Sequence, residues 1–305
     1  MWSWYGSGPP VLRGANISVP CGEFVALVGS NGSGKTTLVK QVIGLLKPSS
    51  GTMNLGPHDL VDDPDAARQL CSYLPQAQMP INSFKTHEAI AITGMIRGGT
   101  AAAVAARRDA LIEALDIGEW RDTLGAKLSG GVKRLVGFAM VTVWPGRVVI
   151  LDEPTNDVDP LRRRLLWEQV RRLGDEGVAV FLVTHNVLEA EKSVDRLAII
   201  DRGRILAEGT PSSLKQVDRG RLRLHVMLAP HTPTPELPPF VEDHTRVRSN
   251  LIAVISEAEA VHGIGWAQEL MGIGIAEEYA LAATTLEDVY VRLTGDVAAR
   301  EPASS

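Results

Sequence analysis

The chain has 305 residues, 45% of them apolar and 22% charged. That suits one large domain, or a domain of about 200 residues with a smaller appendage, and argues against general disorder. A net charge of -5 argues against a nucleic-acid partner held by counterion release, which needs a basic surface.

From the N-terminus, residues 1–10 lack the basic and apolar regions of a signal peptide. No run of about 18 apolar residues follows, so a cytoplasmic protein without its own transmembrane segment is expected. Cys21 and Cys71 lie far apart and outside any C-x-x-C pattern. They read as two ordinary buried thiols in a reducing compartment, with no disulfide framework or cysteine metal site. Short apolar strands alternate with helices to about residue 210, the α/β pattern. Glu23–Val28 reads as a buried strand and Thr36–Leu46 as the helix after it. Between Gln76 and Trp144 helical signals dominate, over Thr86–Ile96, Thr100–Leu115 and Gly131–Val143, which predicts an all-helical insert. Strands return at Val148–Leu151, Val178–Val183, Arg196–Ile200 and Arg204–Ala207. Arg162, Arg163, Arg164, Arg171 and Arg172 interleave with Leu165, Leu166, Trp167 and Val170 at helical spacing, the pattern of a solvated helix face.

Near residue 218 the character changes. Arg221–Met227 alternates as a half-buried strand would, and residues 229–239 carry five prolines (Pro230, Pro233, Pro235, Pro238, Pro239), which read as a loop. One strand is predicted over 246–256, a helix over Glu257–Met271 weakened by Gly263 and Gly265, a strand over Tyr279–Ala283 and a closing helix over Thr285–Thr294. Residues 219–295 thus form a small accessory α+β domain, and 296–305 a flexible tail.

The chemistry begins at Gly29-Ser30-Asn31-Gly32-Ser33-Gly34-Lys35-Thr36, the pattern G-x-x-x-x-G-K-[ST] between a strand and a helix. Glycine frees backbone N–H groups to converge on phosphate oxygens at a helix N-terminus. Lys35 adds a positive charge for the β- and γ-phosphates, and the Thr36 hydroxyl suits Mg²⁺; Thr37 extends the phosphate-binding run. Downstream, the apolar strand Val148–Leu151 ends in Asp152 and Glu153. Paired buried acids are costly unless they meet a cation. Asp152 is suited to hold Mg²⁺ and Glu153 to polarise a water for attack on the γ-phosphate, a general-base role contributing on the order of 10²–10⁴ in rate.

With Leu128-Ser129-Gly130-Gly131 the chain resembles the nucleotide-binding subunit of an ABC transporter, a P-loop NTPase core of ABC ATPase type with an all-helical insert. The resemblance covers residues 5 to about 216. It implies that residues 1–218 are the ABC ATP-binding domain, with a helical subdomain at about 77–146. It also implies that ATP and Mg²⁺ are the cofactors, and that Ser129, Gly130 and Gly131 contact the ATP of a second ATP-binding subunit in a head-to-tail homodimer or heterodimer. Gln76 is similar to the family's Q-loop glutamine, which reaches Mg²⁺ and the attacking water. His185 is similar to the histidine that contacts the γ-phosphate. Asp159 matches the D-loop acid, with Asn156 and Asp157 as variant positions, and Val132 stands where the family usually has glutamine. Tyr5 sits where the family stacks an aromatic on adenine, with Trp4 and Trp2 as rivals and room for little of the strand that normally precedes it.

Thr285–Gly295 resembles the C-terminal helix of ATPase subunits serving type 2 exporters, the drug-resistance and polysaccharide or lipid export group. The resemblance therefore implies coupling of ATP hydrolysis to export through a separate integral-membrane subunit, docked along Phe84–Arg97, at the inner face of the membrane. The alternatives are an importer ATPase for metal ions or small solutes, and a soluble ABC ATPase acting on nucleic acid or ribosomes. Against the second stands the absence of tandem domains and of a basic coiled-coil insert.

Overall fold

Strands covered by helices on both faces are recorded in sequence as unbroken apolar runs, and those runs build the first of two units, Met1–Pro211 and Ser212–Ser305. The computed structural model describes residues 1–4, 8–216 and 220–300. An antiparallel pair, β1 (Trp2–Trp4) and β2 (Pro10–Arg13), opens the chain, so the strand ahead of Tyr5 is short but present. β3 (Phe24–Val28) is buried at every position. Next come α1 (Lys35–Val42), the small hairpin β4 (Asn54–Leu55) and β5 (His58–Asp59), and α2 (Pro64–Leu70). Asp63 caps α2 by accepting from the Ala66 N–H, and Pro64 occupies its first turn, where a missing N–H costs nothing. β6 (Cys71–Leu74) follows.

The insert is helical as expected: α3 (Thr86–Ile96), α4 (Ala101–Ala114) and α5 (Gly130–Thr142). Gly94 lets α3 approach α4, since a Cβ there would lie 2.7 Å from Val104 Cγ1. Arg97 ties the insert to the sheet by donating to the carbonyls of Trp144, Cys71 and Gln69. The unit continues with β7 (Val148–Asp152), α6 (Pro160–Asp175), β8 (Ala179–Thr184), α7 (Val187–Ser193), β9 (Arg196–Asp201) and β10 (Arg204–Gly209), and α8 (Pro211–Lys215) begins at its end.

The six-stranded sheet has the order β10-β9-β3-β8-β7-β6. All neighbours are parallel except β10 on β9. Val25, Leu27, Ile150, Phe181, Val183, Ala198 and Ile200 pack one core with Leu38 and Val39 of α1. Register then fixes the site. Val28 pairs with Thr184, Asp152 with Val183 and Leu74 with Leu151, so the loops leaving β3, β6, β7 and β8 emerge side by side at the carboxyl ends, where open α/β sheets bind ligands. One cysteine expectation needs correction. Cys71 is buried, its thiol pushed up to about 11 by that burial, whereas Cys21 is exposed because it sits in the turn before β3.

The second unit holds β11 (Arg221–Leu228), β12 (Val241–Val247), β13 (Asn250–Ser256), α9 (Ala260–Gly272), β14 (Ala276–Ala283) and α10 (Leu286–Arg300). Its antiparallel sheet has the order β12-β13-β11-β14. Leu224, Val226, Leu228, Leu251 and Ala253 pack against Ala267 and Leu270 of α9. The single strand expected over 246–256 is a hairpin, β12 turning into β13 through Arg248 at φ 55°. β12 is an edge strand with mostly exposed side chains, so no burial pattern marks it. The closing helix runs past Thr294 to Arg300. Among the described residues no helix is long and apolar enough to cross a membrane.

Candidate active site

The loop between β3 and α1 is shaped by glycine. Gly32 and Gly34 have φ of 83° and 107°, which other residues rarely adopt. A Cβ on Gly29 would collide with Ile200 O, and one on Gly34 would lie 2.9 Å from Leu12 Cδ2. Lys35 is almost wholly buried, and its Nζ donates to Gly29 O at 2.8 Å and Ser30 O at 2.9 Å. Burial lowers its pKa, while the nearby Glu153 and Asp152 charges act in the opposite direction.

A cavity of about 160 Å³ opens beside this loop, lined by Asn31, Gly32, Gly34, Lys35, Thr36, Thr37, Gln76, Asp152, Glu153 and Val11. The structure thus brings the glycine loop, both acids and Gln76 to one place. Asp152 closes β7, buried to 4% exposure, and its Oδ2 accepts from the Tyr73 hydroxyl at 3.2 Å. Burial raises the Asp152 carboxyl pKa and the Tyr73 bond opposes that rise; burial likewise raises the Tyr73 phenol, with Asp152 adding to it. Glu153 stands at φ 50°. Its Oε1 accepts from the His185 N–H at 2.8 Å and lies 2.6 Å from His185 Nδ1, while its Oε2 accepts from the Thr184 hydroxyl at 2.9 Å.

Ser129, Gly130 and Gly131 start α5 and are not among the residues lining that cavity. Ser129 caps the helix, its Oγ accepting from the Val132 N–H at 3.4 Å. A Cβ on Gly131 would collide with the Asp157 carbonyl, and one on Gly130 would lie 3.4 Å from Asp157 Oδ2. Asp159 also lies away from the cavity. It caps α6 by accepting from the Leu161 and Arg162 N–H groups at 3.1 and 3.0 Å, and the Arg162 backbone and side-chain bonds hold its carboxyl below the usual range. Tyr5 lies outside the described residues.

Residues 12–156 match the family described as ABC transporter. The chain is 34% identical over 288 residues to the Nod factor export ATP-binding protein I of Burkholderia lata, covering 93% of this chain and 92% of that protein. The chain belongs to the ABC transporter family. It is also 35% identical over 222 residues to the daunorubicin/doxorubicin resistance ATP-binding protein DrrA of Streptomyces peucetius, covering 72% of this chain and 67% of that one. Among solved structures, an ATP-binding subunit of an ABC transporter superposes with a TM-score of 0.66 at 28% identity, over 71% of this chain and 90% of that one. This is the ATP-binding, ATP-hydrolysing subunit of an ABC transporter, an ATPase with the P-loop α/β fold.

Several site features of this ABC subunit fit a nucleotide. Ser33 Oγ is buried without a hydrogen-bond partner among the described residues, and a Cβ on Gly32 would meet nothing within 4 Å, so the loop's outer side is open. Val132 is buried and keeps its N–H on Ser129, so the side-chain change leaves the cap intact. Motif reading missed Tyr73, Thr184, Val11 and Arg134. Arg134 is buried to 5% exposure and donates to the carbonyls of Pro75, Gln76, Asp152 and Glu153. The signal for it was slight: a basic residue followed by Leu135 and Val136 on a helix whose face is otherwise apolar.

Proposed function

We propose that this subunit drives export through a separate integral-membrane subunit, hydrolysing Mg-ATP between two copies at the inner face of the membrane. The amides of the Gly29–Thr37 loop and Lys35 hold the phosphates, and Tyr5 stacks on the adenine. The hydroxyl of Thr36, the carboxylate of Asp152 and the amide of Gln76 would hold Mg²⁺; few protein ligands suit a cation that keeps several waters. When bound, Mg²⁺ neutralises charge on the β- and γ-phosphates.

Glu153 accepts a proton from the attacking water. The water oxygen bonds to the γ-phosphorus, the bond from that phosphorus to the bridging oxygen breaks, and ADP leaves with the electron pair. His185 orients Glu153 through its backbone N–H and ring and reaches the γ-phosphate. Ser129, Gly130 and Gly131, with Asp159, serve the ATP of the second copy, which accords with their lying outside this chain's own cavity. Charge added on hydrolysis reopens the pair, and the helical insert carries the motion to the membrane subunit. Exposed Phe84, Ile92, Met95 and Ile96 support docking there, since grouped exposed apolar residues mark interaction surfaces.

Export, rather than import, is supported by the relatives named for Nod factor export and for daunorubicin resistance, the first matched across both units of the chain. The observation that carries the reading is the single cavity shared by Lys35, Thr36, Gln76, Asp152 and Glu153. The test is a Glu153→Gln chain supplied with Mg-ATP. It should bind nucleotide like the parent, lose turnover by about 10²–10⁴ and accumulate as a closed dimer. Undiminished phosphate release would remove Glu153 as the base, and absent nucleotide binding by the parent would remove the whole reading.

A further inference from the structure

Arg134 occupies an unusual position for a charged side chain. It projects from the early turns of α5 into the protein and, among the described residues, gives its guanidinium to backbone carbonyls. Nη1 donates to Pro75 O and, at 3.3 Å, to Gln76 O; Nη2 donates to Asp152 O and, at 2.6 Å, to Glu153 O; Nε donates to Glu153 O at 3.1 Å. Among the described residues no carboxylate takes a direct bond from it. The Asp152 and Glu153 charges nearby raise its pKa against the larger lowering effect of burial. Burying a cation is costly, and here the cost is met by a rigid fork whose donors all find acceptors.

The acceptors belong to two loops. Pro75 and Gln76 follow β6, and Asp152 and Glu153 end β7; together they carry most of the candidate catalytic groups on the cavity's acidic side. The donor belongs to the helix whose N-terminus is the Ser129–Gly131 turn. A helix moves as a rod, so a displacement at its start is felt at Arg134 within the same rigid element. Resting on the two-copy reading above, the consequence is directional. The Ser129–Gly131 turn grips the nucleotide of the other copy, while Arg134 on the same helix holds the loops that act on this copy's own nucleotide.

We propose that Arg134 couples the two ATP sites of the dimer, handing the seating of α5 on one nucleotide to Gln76 and Glu153 at the other. It is a positioning residue and touches no reacting atom. Coupling between sites is a free energy carried by a physical element both sites bias, and this guanidinium bridging α5 to both loops is such an element. Lysine at this position would keep the charge, but a single ammonium on a flexible stem cannot span both loops.

The experiment compares the full-length parent with Arg134→Lys. Three quantities are read: equilibrium binding of a fluorescent ATP analogue, the steady-state ATPase rate against ATP concentration, and ATP-dependent dimerisation in a Glu153→Gln background. The parent should give a sigmoidal rate curve with a Hill coefficient above about 1.3, and the variant one near ~1. The variant should bind the analogue within about threefold of the parent yet turn over about tenfold more slowly, the size of a modest coupling. A merely structural arginine would instead lower affinity and turnover together. That result, a parent-like curve in the variant, or a hyperbolic curve in the parent would each overturn the inference.

Amide exchange in the Glu153→Gln chain supplies a test that needs no change at Arg134. Protection at Gln76 beyond what ATP gives the monomer should appear only at protein concentrations where dimers form. Equal protection in the ATP-bound monomer and dimer would overturn the coupling and leave the sandwich standing. Failure of that chain to dimerise with ATP would instead strike the two-copy reading itself, and the inference with it.

Discussion

Glu153 and Thr184 are held together across neighbouring strands, the threonine hydroxyl donating to Glu153 Oε2 at 2.9 Å while His185 takes Oε1. The bond is buried, and Thr184 is not among the residues lining the nucleotide cavity. The hydroxyl therefore aims the carboxylate from outside that cavity's lining. Thr184→Val keeps the branched shape and deletes the donor. A hydrogen bond to a charged group contributes about 1.5–3 kcal/mol, so turnover should fall by about tenfold or more with nucleotide affinity unchanged. Parallel phosphate-release and binding titrations check this; equal losses in both would mean the hydroxyl shapes the loop and not the base.

The Tyr73–Asp152 bond makes the acid side of the ATPase profile predictable. Burial raises the Asp152 carboxyl pKa, and the Tyr73 hydroxyl bond works to lower it. Removing a donor from the ionised form raises the pKa further. Tyr73→Phe, which keeps the ring, should therefore leave a smaller ionised fraction of Asp152 as pH falls. The acid limb of the ATPase profile should move to higher pH, with the neutral plateau little changed. An acid limb in the same place would show that another group controls it.

Much of this was readable because its signals are local. Val148–Leu151 and Phe181–Val183 are unbroken apolar runs, as strands covered on both faces must be, and the glycine loop announces itself by composition. What escaped depends on partners remote in the chain. Arg134 follows Lys133 and looks like half of a solvated basic pair; only the fold sets the Pro75 and Asp152 carbonyls against it. Tyr73 looks like an ordinary strand residue until β6 is laid beside β7. Most of β12 lies outside the strand expected over 246–256, because an exposed edge strand reading Val-Glu-Asp-His-Thr-Arg-Val has no apolar face to alternate. Gly263, which weakened the helix reading, is there for packing: a Cβ would lie 2.6 Å from Ile255 Cδ1.

Gly131 offers a separation between binding ATP and using it. A Cβ there would collide with the Asp157 carbonyl oxygen and lie 3.1 Å from its carbon, so Gly131→Ala must push the start of α5 away from residues 156–158. Asp157 has φ of 63°, and a non-glycine residue held there has little freedom to retreat. The P-loop cavity shares no residue with this contact. Gly131→Ala should therefore bind nucleotide like the parent while losing ATP-dependent dimerisation and at least about tenfold in turnover. Light scattering of the variant in the Glu153→Gln background is the measurement, and parent-like dimers would refute the argument.

Gln41 carries a stability prediction free of any catalytic assumption. It lies on α1 with 1% exposure, and neither Nε2 nor Oε1 has a hydrogen-bond partner among the described residues. A buried amide without partners costs about 1–3 kcal/mol relative to its solvated state. Methionine has similar length, no branching and no polar demand, and it adapts to irregular space. Gln41→Met should therefore stabilise the ATP-binding unit by about 1 kcal/mol, seen as a higher urea midpoint at unchanged slope in the absence of nucleotide. Gln41→Ala, which also removes the amide but leaves a cavity, should fall below the methionine variant. If methionine destabilises, the amide must be satisfied by an enclosed water, and the loss would measure that water's bonds.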